Sequence, residues 1–122
     1  MIVVRDNPAL HRYEVYDDDH CAGFASYRLS QRTIAFTHTE VEREFTGRGL
    51  ARRLVTKGLD DARQRGLGVY PFCPYVRRVI ALFPEQYLDL VPRPQRERFE
   101  LPRGAEGEGH RRALVWKSEA KR

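Results

Sequence analysis

The first forty residues alternate between apolar and polar side chains over short stretches, which is the period-two pattern of β-strands. The stretches cover residues 11–16, 22–30 and 32–41. A polar turn at residues 17–20 separates the first two. Because consecutive strands joined by short turns usually pair with their neighbours, we predict an antiparallel meander.

The pattern changes to the helical period from Arg48 onward. Apolar side chains then recur three and four positions apart, and charged residues occupy most of the opposite face. Gly66 supplies a stop signal. We therefore predict one long amphipathic helix, whose apolar face consists of Leu50, Ala51, Leu54, Val55, Leu59 and Ala62.

A short apolar run and a second helical pattern follow this helix. Residues 67–72 suit a buried strand, which ends in a segment rich in proline. Pro74 fits the first turn of a helix, where its missing N–H group costs nothing. That helix covers residues 75–83, and we expect Pro84 to close it. The order of the elements predicts an α/β fold.

Composition supports a single folded unit. Of the 122 residues, 41% are hydrophobic and 32% are charged, which excludes a disordered or fibrous chain. The net charge of +5 suggests an acidic partner, but its distribution weakens that suggestion. Residues 1–91 hold 13 basic and 12 acidic residues, whereas residues 92–122 hold 9 and 5. Most of the excess positive charge therefore lies in the C-terminal segment.

We expect two parts in the chain, a domain over residues 1–91 and a basic extension over residues 92–122. Residues 92–109 are rich in proline, glycine and charge, so they are predicted to form a loop or a loosely held extension. Residues 113–116 could add one edge strand.

Nothing in the sequence predicts export or membrane insertion. No stretch approaches the roughly 20 apolar residues of a membrane span. The start MIVVRDNP lacks the basic flank and apolar run of a secretory signal, so we expect a cytoplasmic protein. In that compartment Cys21 and Cys73 are not expected to form a structural disulfide. No metal site is predicted.

The most informative segment is the turn formed by residues 45–51, between a predicted strand and the long helix. A turn of small residues at a helix N-terminus exposes unpaired backbone N–H groups beside the positive end of the helix dipole, which suits a pyrophosphate. The alternative is that Gly47 and Gly49 only form a tight turn. The spacing of the glycines differs from the dinucleotide-binding fingerprint, and the Gly-Lys-Ser/Thr of a P-loop is absent.

The order of elements and this turn together resemble the GNAT superfamily of acyl-CoA-dependent N-acetyltransferases. The pyrophosphate motif of that superfamily, Gln/Arg-x-x-Gly-x-Gly/Ala, falls on residues 46–51. Gly49 and Ala51 match it, whereas Thr46 replaces the usual Gln or Arg, which leaves backbone amides as the main phosphate ligands. The resemblance implies a mixed, mainly antiparallel sheet flanked by helices.

A closer resemblance is to small, stand-alone GNAT-like proteins that carry a cysteine after the fifth strand. It implies that acetyl-CoA or CoA binds with its pantetheine arm between the strand ending near Val41 and the strand ending near Phe72. It also implies transfer of an acetyl group to an amine acceptor, whose identity the sequence does not give. The resemblance rests on four strings, at residues 38–41, 47–51, 71–76 and 84–91.

The cofactor-binding residues follow from the same resemblance. Backbone N–H groups from Thr39 to Val41 are the predicted oxyanion donors. Basic side chains near the turn could meet the phosphates, or they could simply be solvated. The predicted set is Thr39, Val41, Thr46, Gly47, Arg48, Gly49, Leu50, Ala51 and Arg52.

Glu40 is the first candidate for the base that deprotonates the amine. At neutral pH only about one lysine-like amine in a thousand is uncharged, so a base is needed. The resemblance places Glu40 beside the thioester, and burial there would make its carboxylate a stronger base. The alternative is a charge that points to solvent. His38 is the rival base, and a period of two puts both side chains on one face.

Cys73 and Tyr75 complete the set of catalytic candidates. Cys73 follows the predicted buried strand and precedes a helix whose N-terminus favours the thiolate, which would suit an acyl acceptor. The alternative is a small buried hydrophobic residue, and we expect direct transfer in a ternary complex. Tyr75 lies where members of the superfamily often place a tyrosine that protonates the CoA sulfur. The alternative is a tyrosine stacked at the start of the helix with its hydroxyl in water.

Two other functions remain open at this point. A CoA-binding module without turnover is compatible with the missing Gln or Arg at Thr46 and with the lack of a single clear base. Nucleic-acid binding would use the arginines of residues 92–122, but the near-neutral charge of residues 1–91 and the absence of a known reading motif argue against it.

Overall fold

The structure is a computed structural model, and it describes residues 1–103. Five strands form one sheet in sequence order, with the first four antiparallel and the fifth parallel to the fourth. The mixed, mainly antiparallel sheet is therefore confirmed. The strands are β1 (Ile2–Asn7), β2 (Arg12–Asp17), β3 (His20–Leu29), β4 (Thr33–Val41) and β5 (Gly68–Pro71).

Strand β1 is not among the strands that the alternation pattern identified. It lies at the edge of the sheet and pairs only with β2. Ile2 and Val4 pack against the core, but the exposed Val3 between them is also apolar, so the alternation is hidden in the sequence.

The three helices are α1 (Leu50–Gln64), α2 (Pro74–Leu82) and α3 (Pro84–Tyr87). Helix α1 begins after Gly49 and is followed by Gly66, and both glycines have a positive φ. Pro74 occupies the first turn of α2, as predicted. Pro84 does not simply close α2, because it also begins α3 immediately after Phe83.

The core lies between α1 and one face of the sheet. Helix α1 contacts all five strands, and its apolar face is buried against Tyr13, Val15 and Phe36. Gly58 allows this close packing, since a Cβ atom there would lie 2.8 Å from the ring of Phe36. The helix therefore packs closely across β2, β3 and β4.

The opposite face of the sheet carries polar and aromatic side chains. Glu14, only 4% exposed, accepts hydrogen bonds from Asn7, Arg12 and Tyr16. Burial by itself raises the pKa of the Glu14 carboxyl, but these three hydrogen bonds outweigh it and lower that pKa. Arg12 also stacks over the ring of Phe24. The charge of Glu14 is thus fully partnered on this face.

Residues 92–103 pack against the same core. Phe99 and Leu101 are buried, and the ring of Phe99 meets Tyr70 and Phe72 edge-on, with centroids 6.1 and 5.1 Å apart. The sequence predicts a loop or a loosely held extension here, and its first part is instead packed against the core. The pattern does not reveal this packing because the few apolar residues of the segment are widely spaced among charges. The edge strand expected at residues 113–116 lies outside the described residues.

Replacing Phe99 by alanine tests this packing. Phe99→Ala should lower the free energy of unfolding by about 3 kcal/mol or more, because it leaves a cavity against Tyr70 and Phe72. Urea denaturation measures the change. Leu82→Ala, at a position 54% exposed, is the control and should change stability little. Equal stability of the two variants would contradict the packing of Phe99.

Candidate functional site

Strands β4 and β5 separate halfway along β4. They pair from Thr33 with Gly68 to Phe36 with Pro71, and no further. At the same level β4 contains a bulge, because Ser26 pairs with His38 and Tyr27 with Phe36, so Thr37 between them has no opposing residue in the β3 register. A bulge bends its strand and increases the local twist. A gap therefore opens between the two strands beyond Phe36.

The edge of β4 along this gap presents backbone N–H groups. Glu42 donates its N–H group to Ala22 on β3, and in an antiparallel ladder the direction of these groups alternates from residue to residue. The N–H groups of Thr39 and Val41 therefore point away from β3 and into the gap. Within residues 1–103 no strand pairs with this part of the β4 edge.

The glycine turn leads into α1 as the sequence predicts. Gly47 and Gly49 have φ angles of 82° and 73°, in the left-handed region that glycine favours. Thr46 has a shorter side chain than the usual Gln or Arg, and its hydroxyl donates to the carbonyl of Arg43 within the turn. The first turn of α1 contains no acidic residue.

The start of α1 leaves backbone donors available. The N–H group of Arg53 is bonded to the carbonyl of Gly49, which makes it the first to join the helix. The N–H groups of Leu50, Ala51 and Arg52 come before that first bond, so they have no acceptor within the helix and point out of its end. The side chain of Leu50 is buried and fixes the turn to the core. This geometry suits an anion.

Two arginines near the turn are held by the protein itself. Arg48 lies 3.2 Å from the carboxylate of Asp17 and stacks on the ring of Phe45. Arg52 stacks on the ring of Phe83, 4.5 Å from its centroid. The backbone N–H groups are therefore the better-placed anion donors.

His38 and Glu40 form a pair on the face of the sheet opposite α1. Their Nε2 and Oε1 atoms are 3.0 Å apart, and the two side chains are 60% and 62% exposed. The shared face is as predicted. For Glu40 the structure matches the second alternative, a charge that points to solvent, because its neighbour across the sheet, Phe24, lies on the face that no described helix covers. An imidazole and a carboxylate at hydrogen-bond distance can accept a proton together.

Cys73 lies on the other side of β4. It is 3% exposed, and its Sγ atom is 3.4 Å from the Oγ1 atom of Thr39. Its N–H group donates to the carbonyl of Phe36, 2.9 Å away, at the point where the strands part. Tyr75 follows in the first turn of α2 and is half-buried against the core. The structure therefore brings Cys73 and Thr39 together, apart from the His38–Glu40 pair.

Sequence reasoning did not single out Arg77. Its Nε atom donates to the carbonyl of Pro71 and its Nη2 atom to that of Phe72, each at 3.1 Å. These carbonyls immediately precede Cys73, so Arg77 fixes the end of β5. No local signal distinguishes Arg77 from the other arginines of the chain. Its partners are backbone carbonyls, which every residue has, so the sequence does not mark them.

Between residues 1 and 103 no group of histidine, cysteine and acidic side chains could hold a metal ion. No helix in this part of the chain is long and apolar enough to cross a membrane. Both Cys21 and Cys73 are free thiols.

Comparison with known proteins adds a family match. A family model described as GCN5-related N-acetyl-transferase matches residues 12–90, which include β2 to β5 and all three helices. No curated protein matched the chain.

Removing the side chain of Arg77 should loosen the end of β5. Arg77→Met should lower the free energy of unfolding by about 1 to 2 kcal/mol, because two backbone carbonyls lose a charged donor. In a Cys21→Ser background, the Cys73 thiol should also react faster with a thiol reagent. Arg78→Met, at an exposed position on the same helix, is the matched control. If both variants reacted at the wild-type rate, Arg77 would not fix this segment.

Proposed function

This chain belongs to the GCN5-related N-acetyltransferase family, and we propose that it transfers an acetyl group from acetyl-CoA to a primary amine. The amine would belong to a small molecule or to a protein lysine or N-terminus. The observation that carries the proposal is the gap between β4 and β5, which begins at Phe36 and leads toward the glycine turn at the start of α1.

The donor would bind along two sets of backbone N–H groups. Those of Leu50, Ala51 and Arg52 lie at the positive end of the α1 dipole and suit the pyrophosphate of CoA. Those of Thr39 and Val41 face the gap and suit the pantetheine arm and the thioester carbonyl. An N–H group directed at that carbonyl stabilises the oxyanion that forms when the amine attacks.

The His38–Glu40 pair is our candidate for the proton acceptor. The amine must lose a proton to attack the thioester, and the pair offers an imidazole and a carboxylate 3.0 Å apart on the open face of β4. Attack forms the amide and breaks the carbon–sulfur bond, and the CoA thiolate then takes a proton. Tyr75, in the first turn of α2, is the candidate donor for that proton.

We propose direct transfer rather than an acetyl-cysteine route. An acyl-accepting thiol must be accessible, whereas the Cys73 thiol is only 3% exposed and lies against the hydroxyl of Thr39. Its burial supports a lining role in the gap. The His38–Glu40 pair, in contrast, is open to an incoming amine.

Labelled acetyl-CoA distinguishes the two routes. After incubation, intact-mass analysis of the wild type and Cys73→Ala should show no acetyl-cysteine adduct on either protein. Both should release CoA faster than spontaneous hydrolysis when a panel of primary amines is supplied. A labile adduct on the wild type, together with loss of turnover in Cys73→Ala, would establish the cysteine route instead.

The glycine turn can be tested by binding alone. Gly49→Glu should abolish CoA binding in calorimetric titration, since it places bulk and negative charge at the positive end of α1. Gly49→Ala is the matched control, because it has the same positive φ of 73° but no charge, and it should retain most of the affinity. Unchanged affinity in Gly49→Glu would remove the phosphate site from the turn.

A CoA-binding module without turnover is the second candidate. The observation that favours it is the exposure of Glu40, whose carboxylate lies open to solvent on the face of the sheet opposite α1. CoA would then raise the melting temperature of the protein, while no amine in the panel would accelerate CoA release. Nucleic-acid binding is less well supported, because Arg96 and Arg98 contact backbone and aromatic rings within the protein.

A further inference from the structure

We propose that Gly23 is a positioning residue that sets the width of the gap between β4 and β5. The inference rests on the proposed function, because it assigns the pantetheine arm to that gap. Gly23 lies on β3 and pairs with Val41, at the end of β4. It touches no part of the proposed ligand, and it would act only through the backbone of β4.

The requirement at Gly23 is for space. Its φ angle does not lie in the left-handed region, unlike those of Gly47, Gly49 and Gly66. A Cβ atom on Gly23 would lie 2.5 Å from the carbonyl oxygen of Glu40 and 3.0 Å from the Cα atom of Val41. Both neighbours are backbone atoms, so no side-chain rotation relieves the contact.

The strands must therefore move apart if residue 23 carries a side chain. Real Cβ contacts are essentially never closer than 3.0 Å, so a separation of 2.5 Å requires a shift of at least about 0.5 Å. Strand β3 is held from behind by β2, where Gly23 pairs with the fully buried Val15. The free side is that of β4, whose outer edge borders the gap, so residues 40 and 41 would shift toward it.

The far wall of the gap cannot retreat to the same extent. The end of β5 is tied to β4 by the hydrogen bond from Cys73 to Phe36. Arg77 holds the carbonyls of Pro71 and Phe72, and the ring of Phe72 packs on Phe99. A shift of β4 therefore narrows the gap and turns the N–H groups of Thr39 and Val41 out of place.

This arrangement predicts a selective loss of affinity. Gly23→Ala should weaken CoA binding about tenfold, equivalent to one or two lost hydrogen bonds along the pantetheine arm. Binding of adenosine 3′,5′-bisphosphate, which has the nucleotide part of CoA without pantetheine, should be unchanged, because the turn at Gly49 lies outside the gap. A general loss of stability would not separate the two ligands.

Isothermal titration of both ligands against the wild type and two variants provides the test. The matched control is Gly68→Ala, also at a strand glycine, where an added Cβ would lie 3.2 Å from the ring of Pro92 and at an ordinary contact distance of 3.8 Å from the carbonyl oxygen of Arg32. It should bind both ligands as the wild type does. Equal CoA affinity in Gly23→Ala and the wild type, or a parallel loss of both ligands, would overturn the proposal.

Two further measurements keep the test decisive. If Gly23→Ala does not fold, Gly23→Ala/Val41→Ala is compared with Val41→Ala, since removing the Val41 methyl groups leaves only the contacts with backbone.

If the wild type binds no CoA, the proposed function fails, and the inference is tested by the amide NMR shifts of Thr39 and Val41 without ligand. Gly23→Ala should move these two amides, and Gly68→Ala should not.

Discussion

The separation of β4 from β5 beyond Phe36 is the constraint on which the rest of the site depends. Two features fix it at the same level, the bulge at Thr37 and the hydrogen bond from Cys73 to the carbonyl of Phe36. Without the bulge, the N–H groups of Thr39 and Val41 would not both point away from β3. Without the gap, these N–H groups would be hydrogen-bonded to β5. The donor surface that we assign to the thioester follows from this one departure from regular pairing.

The residues that hold the gap are mostly not the residues that would touch a ligand. Gly58 lets α1 rest on the ring of Phe36, Arg77 ties the end of β5, and Gly23 leaves room behind the end of β4. Phe99, from a segment rich in charge, packs on Phe72 and supports the far wall. A close-packed interior transmits a shift of half an ångström, so these supports matter to the site as much as its lining does.

The two faces of β4 divide the chemistry. Cys73 and Thr39 lie together on the buried side, where the thiol is 3% exposed, while His38 and Glu40 pair on the open side. A buried thiol and a solvated acid–imidazole pair favour different steps. This division is our reason for assigning the proton to the open face and a lining role to the cysteine.

The sequence by itself determined strands β2 to β4 of the meander, helices α1 and α2 and the glycine turn, because periodicity and turn residues express local backbone preferences. It also placed His38 and Glu40 on one face. It did not determine that Glu40 is exposed, that Phe99 is buried, or that Arg77 and Gly23 hold the gap. These depend on which face another element covers and on how closely two strands approach. Such distances arise between segments far apart in the chain, so only the tertiary structure decided them.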